Sequence, residues 1–110
     1  MMDRIIYLQS AKMVFDALLD LMELQKGVED QNDPVTGILH FVVTLYGIEW
    51  EIKFAITEID RNRCSVTVGV ESKEGNGDLI GYGNIMARRE LALLDSILLI
   101  GTPHEVTYNL

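Results

Sequence analysis

The sequence has one cysteine, few basic residues and no long apolar run, and each shortage excludes a class of protein. With Cys64 alone, no intramolecular disulfide can form, and its place in an alternating apolar pattern predicts a small buried side chain rather than a nucleophile. A single cysteine is typical of a reducing compartment, so we expect a cytoplasmic protein. The most apolar stretch, Leu91–Ile100, is too short to cross a bilayer, and Met1–Gln9 lacks the pattern of a signal peptide.

Basic residues are outnumbered, because 17 aspartates and glutamates stand against nine lysines and arginines and leave a net charge of −8. The phosphates of nucleic acids and the surfaces of anionic membranes repel such a chain. The basic residues are also scattered, and only Arg88 and Arg89 are adjacent. We therefore predict no nucleic-acid partner and no membrane partner.

Metal ligands are scarce as well. The two histidines, His40 and His104, are far apart, and neither has a cysteine or carboxylate at ligand spacing. The segment 30–33 resembles the start of a calcium loop, but Val35 and Phe41 stand where that loop requires glycine and glutamate. The sequence therefore predicts no metal and no other cofactor, and His40 is expected to be a solvated residue on a polar strand face.

Three consecutive strands are the strongest positive feature of the sequence. Apolar residues occupy every second position in 39–45, 50–56 and 64–70, and mostly polar residues lie between them. This period of two is typical of an antiparallel sheet that is covered on one face only. Tyr46–Gly47 is predicted to connect the first two strands, and Asp60–Arg63 the second and third.

Helices are predicted on both sides of these strands. After a short strand at Arg4–Leu8, Ser10 is the expected N-cap of a helix over Ala11–Lys26, and Gly27 is its expected C′ residue. A second helix is predicted over Asn84–Ile100. Because an antiparallel sheet with one apolar face needs a cover, both helices are expected to pack across that face.

The remaining segments are predicted as connections or weak strands. Glu29–Pro34 is polar and ends in proline, which indicates a loop. Lys73–Asp78 is rich in glycine but lacks the spacing of a phosphate-binding loop, so we expect a flexible connection there, with Leu79–Tyr82 as an optional fourth strand. The tail His104–Leu110 either pairs with a sheet edge or stays loose.

The predicted fold is a single α+β domain with four or five antiparallel strands, a core over residues 3–100 and a tail over 101–110. Its order resembles the β-α-β4-α unit of the TATA-binding-protein-like folds and an abbreviated START-like, or helix-grip, domain. The resemblance is carried by Leu8–Phe15 entering the first helix, by Cys64–Val68 as a late strand, and by a glycine-rich loop that leads into the long last helix. It implies a ligand site between that helix and the sheet, and it assigns no functional residue.

Function is predicted where the last helix meets the sheet. The second half of this helix is more apolar than one sheet contact can cover, since only Asp95 and Ser96 interrupt Leu91–Ile100. We predict a non-enzymatic binding module that holds an apolar small molecule or a protein segment at this place. The candidate ligand-binding residues are Phe41, Trp50, Phe54, Tyr82, Met86 and Leu94, unless these side chains only fill the core.

Two alternatives stay open. The surplus apolar surface of Leu91–Ile100 is also expected of a homodimer or a chaperone-like protein. A small cyclase- or hydratase-like enzyme is implied by the resemblance, but no catalytic residue is predicted. Glu49, Glu51 and Lys53 share a polar strand face, where charged groups are normally solvated and do not catalyse.

Overall fold

The computed structural model describes residues 2–73, 80–101 and 108–109. These residues form one antiparallel sheet with two helices packed on the same face, in the strand order β2-β3-β4-β5-β1-β6. The elements are β1 (Met2–Tyr7), α1 (Ala11–Leu24), β2 (Val28–Asp33), β3 (Ile38–Leu45), β4 (Ile48–Asp60), β5 (Arg63–Ser72), α2 (Ile80–Gly101) and β6 (Tyr108–Asn109). The predicted α+β class is confirmed, with five strands of six residues or more and one strand of two residues.

The meander β3-β4-β5 carries the core of the sheet. Its register places Phe41 opposite Ile52, and Phe54 opposite both Leu39 and Val68. Because side chains alternate between the two faces, this register puts every predicted inner position on one side. The buried residues on this face are Leu39, Phe41, Val43, Trp50, Ile52, Phe54, Ile56, Cys64, Val66, Val68 and Val70.

The connection between β3 and β4 is the two-residue turn predicted from Tyr46–Gly47. Both residues have positive φ, 56° at Tyr46 and 74° at Gly47, as in the turns that match the twist of a hairpin. Tyr46 tolerates this conformation although it is not glycine, and its side chain is 89% exposed. The turn therefore places a large aromatic ring at the end of the sheet.

Helix α1 begins and ends with clear caps, and one of them differs from the prediction. The hydroxyl of Ser10 accepts a hydrogen bond from the Met13 amide at 3.2 Å, which confirms the predicted N-cap. The prediction that Gly27 is the C′ residue is wrong, because the C-cap is Gln25 and the C′ residue is Lys26, which has a left-handed φ of 57°. The Gly27 amide donates instead to the Met22 carbonyl at 2.8 Å, as the next residue of a Schellman motif does.

Gly27 has a different reason to lack a side chain. A Cβ atom at this position would lie 2.8 Å from Cδ2 of Phe41, which is closer than two carbon atoms can approach without a shift. The chain therefore passes directly over the core as it leaves α1. A packing requirement, rather than a backbone angle, selects glycine here.

The prediction of a loop over Glu29–Pro34 is wrong, because Val28–Asp33 forms the edge strand β2 and pairs with β3. Helix α1 packs over β3 and β4, and α2 packs over β5 and β1. The first five residues of β2 are exposed, so this strand has no alternation of apolar and polar residues by which the sequence could have indicated it. At the opposite edge, Tyr108–Asn109 pairs with Ile6–Tyr7, which is the sheet-edge alternative for the tail.

Helix α2 begins four residues before the predicted start at Asn84, and the optional strand over Leu79–Tyr82 is wrong from Ile80 onward. Leu79 itself and residues 74–78 of the predicted glycine-rich loop lie outside the described residues. Gly83 lets the helix approach the sheet closely, since a Cβ atom there would lie 3.0 Å from the carbonyl oxygen of Val70. Among the described residues, neither helix combines the length and apolar character that crossing a membrane requires.

A candidate ligand-binding groove

An apolar groove lies between the β3–β4 hairpin and the first turns of α2. Its volume is about 560 Å³. Three of its side chains come from the hairpin and four from the helix. The lining residues are Tyr46, Ile48, Trp50, Tyr82, Ile85, Met86 and Arg89. A concave, mostly apolar surface with a few polar groups is typical of sites for small molecules.

The helical side of the groove is one stripe of α2. Tyr82, Ile85, Met86 and Arg89 follow one another at intervals of three, one and three residues, so they share a helix face. Met86 is only 4% exposed and forms the floor of the groove, whereas Tyr82 and Ile85 are 58% and 61% exposed. The stripe therefore combines a buried floor at Met86 with an exposed wall of two large apolar side chains, Tyr82 and Ile85.

Trp50 forms part of the opposite wall and is only 2% exposed. Its Cα lies opposite that of Val43 on β3 and that of Ser72 on β5. Within the described parts of the chain, the indole Nε1–H has no hydrogen-bond partner. A buried donor without a partner normally costs about 1–3 kcal/mol, so such a group marks a place where an acceptor is expected.

Arg89 at the polar end of the groove is held by a network that joins the two helices. Its Nη1 donates to Oε1 of Gln25 and to Oε2 of Glu90, each at 2.8 Å. Nε2 of Gln25 donates to Oε1 of Glu90 at 2.6 Å. Gln25 is the C-cap residue of α1, so this closed triangle ties the end of α1 to the middle of α2.

Glu90 is the one carboxylate among the buried side chains of the described residues, with an exposed fraction of 0%. Its position belongs to an otherwise apolar stripe of α2, and a lone acidic residue in such a stripe is a sign of a buried, paired carboxylate that the sequence analysis did not use. Burial raises the pKa of this carboxyl group, and the hydrogen bond from Gln25 and the charge of Arg89 oppose the rise without cancelling it.

This raised pKa predicts a pH dependence of stability. Between the unfolded pKa, near 4.5, and the higher folded pKa, the unfolded chain ionises Glu90 while the folded chain keeps its proton. Stability from this group is therefore greatest below the unfolded pKa and falls as the pH rises through that window. We expect Glu90→Gln to remove this decline and to be at least as stable as the wild type at neutral pH, because the amide needs no ionisation.

Urea unfolding of both proteins at several pH values, followed by circular dichroism, measures this difference. Glu23→Gln, on the exposed side of α1, controls for the loss of one negative charge. The expectation is wrong if the free energies of unfolding of wild type and Glu90→Gln change in parallel between the unfolded and the folded pKa of Glu90.

The structure separates the six sequence-predicted site residues into two groups. Trp50, Tyr82 and Met86 line the groove. Phe41, Phe54 and Leu94 are fully buried in the core, where the two phenylalanine rings stack with centroids 6.3 Å apart and planes 20° apart. The binding role of all six stays a prediction. Sequence reasoning missed Tyr46, Ile48, Ile85 and Arg89, although a helix begun at residue 80 would have placed Ile85 and Arg89 beside Tyr82.

Residues 91–98 of α2 pack more completely than their composition suggested. Leu91, Leu94 and Leu98 are buried, and Leu93 and Ile97 pack against the core. The hydroxyl of Tyr7 donates to Oδ1 of Asp95 at 2.6 Å, and this hydrogen bond links β1 to α2. Among the side chains of α2 that the structure describes, those of residues 82–98, the large exposed apolar ones are Tyr82 and Ile85 in the first turns.

The other candidate positions lie apart from the groove. His40 is not simply solvated, because its Nδ1 lies 2.8 Å from Oδ2 of Asp30 and its side chain is 21% exposed. Cys64 is fully buried as predicted, and burial raises the pKa of its thiol to about 11. The described residues contain no group of three or more histidine, cysteine or acidic side chains arranged to hold a metal ion.

A second cleft, of about 540 Å³, lies between the start of α1 and the β2–β3 turn. Charged and apolar side chains alternate around it, among them Lys12, Asp16 and Glu58. Lys12 and Asp16 form an exposed ion pair at 3.0 Å, which neutralises both charges on the helix surface. This lining lacks the continuous apolar wall of the groove.

Neither a protein-family model nor a curated protein matches the sequence. Among solved structures, the chain is similar to the di-domain ARO/CYC (aromatase/cyclase) BexL from the BE-7585A biosynthetic pathway, with a TM-score of 0.66 and 12% sequence identity. The match covers 94% of this chain and 47% of BexL, so this chain spans about half the length of that protein. The likeness shows the fold alone, an α+β arrangement of one antiparallel sheet with two helices on one face.

Proposed function

We propose that the protein is a non-enzymatic binding module that holds an apolar small molecule in the groove between α2 and the β3–β4 hairpin. The observation that carries this proposal is that Tyr46, Tyr82 and Ile85 stay largely exposed around a concavity of about 560 Å³. This volume lies within the range of small-molecule sites, roughly 300–1,000 Å³. Covering one such side chain completely contributes about 1.5–3 kcal/mol, so a ligand that partly covers several gains enough for binding.

The fold supports this location. The long helix α2 packs on the sheet, and the groove opens at one end of that interface. Phe41, Phe54 and Leu94 occupy the interior farther along, and each is 0% exposed. The proposed ligand therefore lies in a shallow groove near the hairpin rather than in a deep chamber.

Two other functions rank below this one. A cyclase- or hydratase-like activity draws support from the likeness to an ARO/CYC protein, and that likeness is one of fold, which does not carry chemistry by itself. A homodimer would use the exposed side chains of Tyr82 and Ile85 as its contact. Light scattering of the purified protein separates a dimer from a monomer, and a monomer leaves these side chains open to a ligand.

Trp50 offers a direct test of the proposal, because it is the only tryptophan and it lines the groove. We expect the fluorescent probe anilinonaphthalene sulfonate, which has apolar aromatic rings and one sulfonate, to bind the folded protein and to quench Trp50 by energy transfer. Ile85→Gln removes an apolar wall residue and should weaken this binding about fivefold to tenfold, or ~1 kcal/mol.

The matched control is Ile59→Gln, at an isoleucine that is 41% exposed near the end of β4 and does not line the groove. This variant should bind the probe as the wild type does. Equal weakening by both substitutions, or no binding by the folded wild type, would show that the groove is not the site.

A further inference from the structure

Arg89 is the one charged side chain among the seven described residues that line the groove. A guanidinium group beside apolar walls is weakly screened, so it attracts an anion more strongly than an arginine surrounded by water does. The side chain of Arg89 is 37% exposed, which leaves part of it accessible from the groove. The polar end of the groove therefore offers guanidinium donors, although the charge of Arg89 is shared with the buried Glu90.

The guanidinium of Arg89 is already held in position. Both of its hydrogen bonds within the described residues use Nη1, which donates to Gln25 and to the fully buried Glu90. Nε and Nη2 make no hydrogen bond to the described part of the chain, so these donors remain for another acceptor. Because Arg89 does not have to be immobilised when a ligand binds, less side-chain entropy is lost on binding.

The opposite wall includes the indole ring of Trp50. The Nε1–H of Trp50 has no partner within the described residues, and Trp50 is 2% exposed. That indole donor is itself buried, so the polar groups of the groove lining are the guanidinium of Arg89 and the hydroxyls of Tyr46 and Tyr82. A tyrosine hydroxyl both donates and accepts, whereas Arg89 only donates, so a ligand that complements Arg89 carries an oxygen acceptor.

From these contacts we infer that the occupant of the groove is an anionic amphiphile, with an apolar body and one carboxylate that Arg89 binds. This inference rests on the proposed function, because it assigns the chemical class of the ligand to the same groove. The positive charge of Arg89 would repel a cationic ligand. A neutral apolar ligand would cover the guanidinium and leave its donors without an acceptor. A carboxylate matches the planar donors of the arginine fork.

Pairs of ligands that differ only in charge test the inference. We expect the wild type to bind decanoate and 2-naphthoate at least tenfold more tightly than decanamide and 2-naphthamide, since a charge-assisted hydrogen bond is lost in each amide. Isothermal titration calorimetry measures all four affinities. Arg89→Gln should reduce the preference for the acid to less than about twofold, whereas Arg88→Gln, with the same change in net charge, should retain it. Arg88 does not line the groove.

The variant Arg89→Gln leaves the carboxylate of Glu90 buried without its cation. The double variant Arg89→Gln/Glu90→Gln removes that carboxylate as well and serves as the control for its effect. Retention of the acid preference in the double variant overturns the assignment to Arg89. Equal binding of acids and amides by the wild type overturns the inference and leaves the groove as an apolar site. Absence of binding by all four ligands overturns the inference together with the proposed function.

Discussion

Phe54→Ala is expected to destabilise the protein by about 3–5 kcal/mol, although sequence reasoning placed Phe54 among the ligand-binding residues. The ring is fully buried and stacks on Phe41, and its Cα lies opposite those of Leu39 and Val68. Removing the ring leaves a cavity in the middle of the sheet, and neighbouring strands cannot close around it without breaking their register. Urea unfolding followed by circular dichroism measures the loss.

Tyr82→Ala is the matched aromatic substitution in the groove. Tyr82 is 58% exposed, so truncating its side chain should change stability by less than about 1 kcal/mol. The same change should weaken binding of anilinonaphthalene sulfonate about fivefold to tenfold, because it removes one wall of the groove. Phe54→Ala is therefore expected to lower mainly the stability of the protein, and Tyr82→Ala is expected to lower mainly its affinity for the probe.

The variant Phe54→Leu keeps this comparison possible when the alanine variant does not fold. It retains most of the buried apolar volume, so a smaller loss of stability is expected. Its affinity for the probe should equal that of the wild type. A loss of affinity as large as that of Tyr82→Ala would mean that the ligand reaches the core between Phe41 and Leu94, and not the groove alone.

Gly37→Ala is expected to destabilise the protein by about 3 kcal/mol, through two separate effects. Gly37 has a φ of 76°, which is unfavourable for a residue with a side chain, and an added Cβ atom would lie 2.4 Å from the carbonyl oxygen of Ile56. The strands cannot separate freely at this point, because the Ile56 amide donates to the Gly37 carbonyl at 2.7 Å. Thermal and urea unfolding both measure the effect.

Gly47→Ala isolates the contribution of the backbone angle. Gly47 has a similar φ of 74°, but nothing lies within 4 Å of the position of an added Cβ atom. The expected cost is therefore about 1 kcal/mol, from backbone strain alone. Equal losses in Gly37→Ala and Gly47→Ala would contradict the close approach of the chain to Ile56.

The candidate site shows how far a sequence pattern reaches. Trp50 and Met86 were expected at the interface of sheet and helix because each lies on an apolar face of its own element, and both line the groove. Arg89 was noted only as one of two adjacent basic residues. Its importance comes from Gln25 and Glu90, which support it from the end of α1 and from its own helix. Contacts of this kind join residues that are distant in the sequence, so no periodicity in the sequence indicates them.

The sequence by itself determined the meander, the α+β class and the N-cap at Ser10, because alternation of side chains and capping act between residues that are close along the chain. Tertiary structure decided the rest. Val28–Asp33 is a strand because β3 offers it hydrogen bonds, although its own side chains show no apolar face. The groove exists because pairing in the sheet and packing of α2 bring the turn at Tyr46 beside Tyr82 and Ile85. Concave shape arises between elements, and only their assembly creates it.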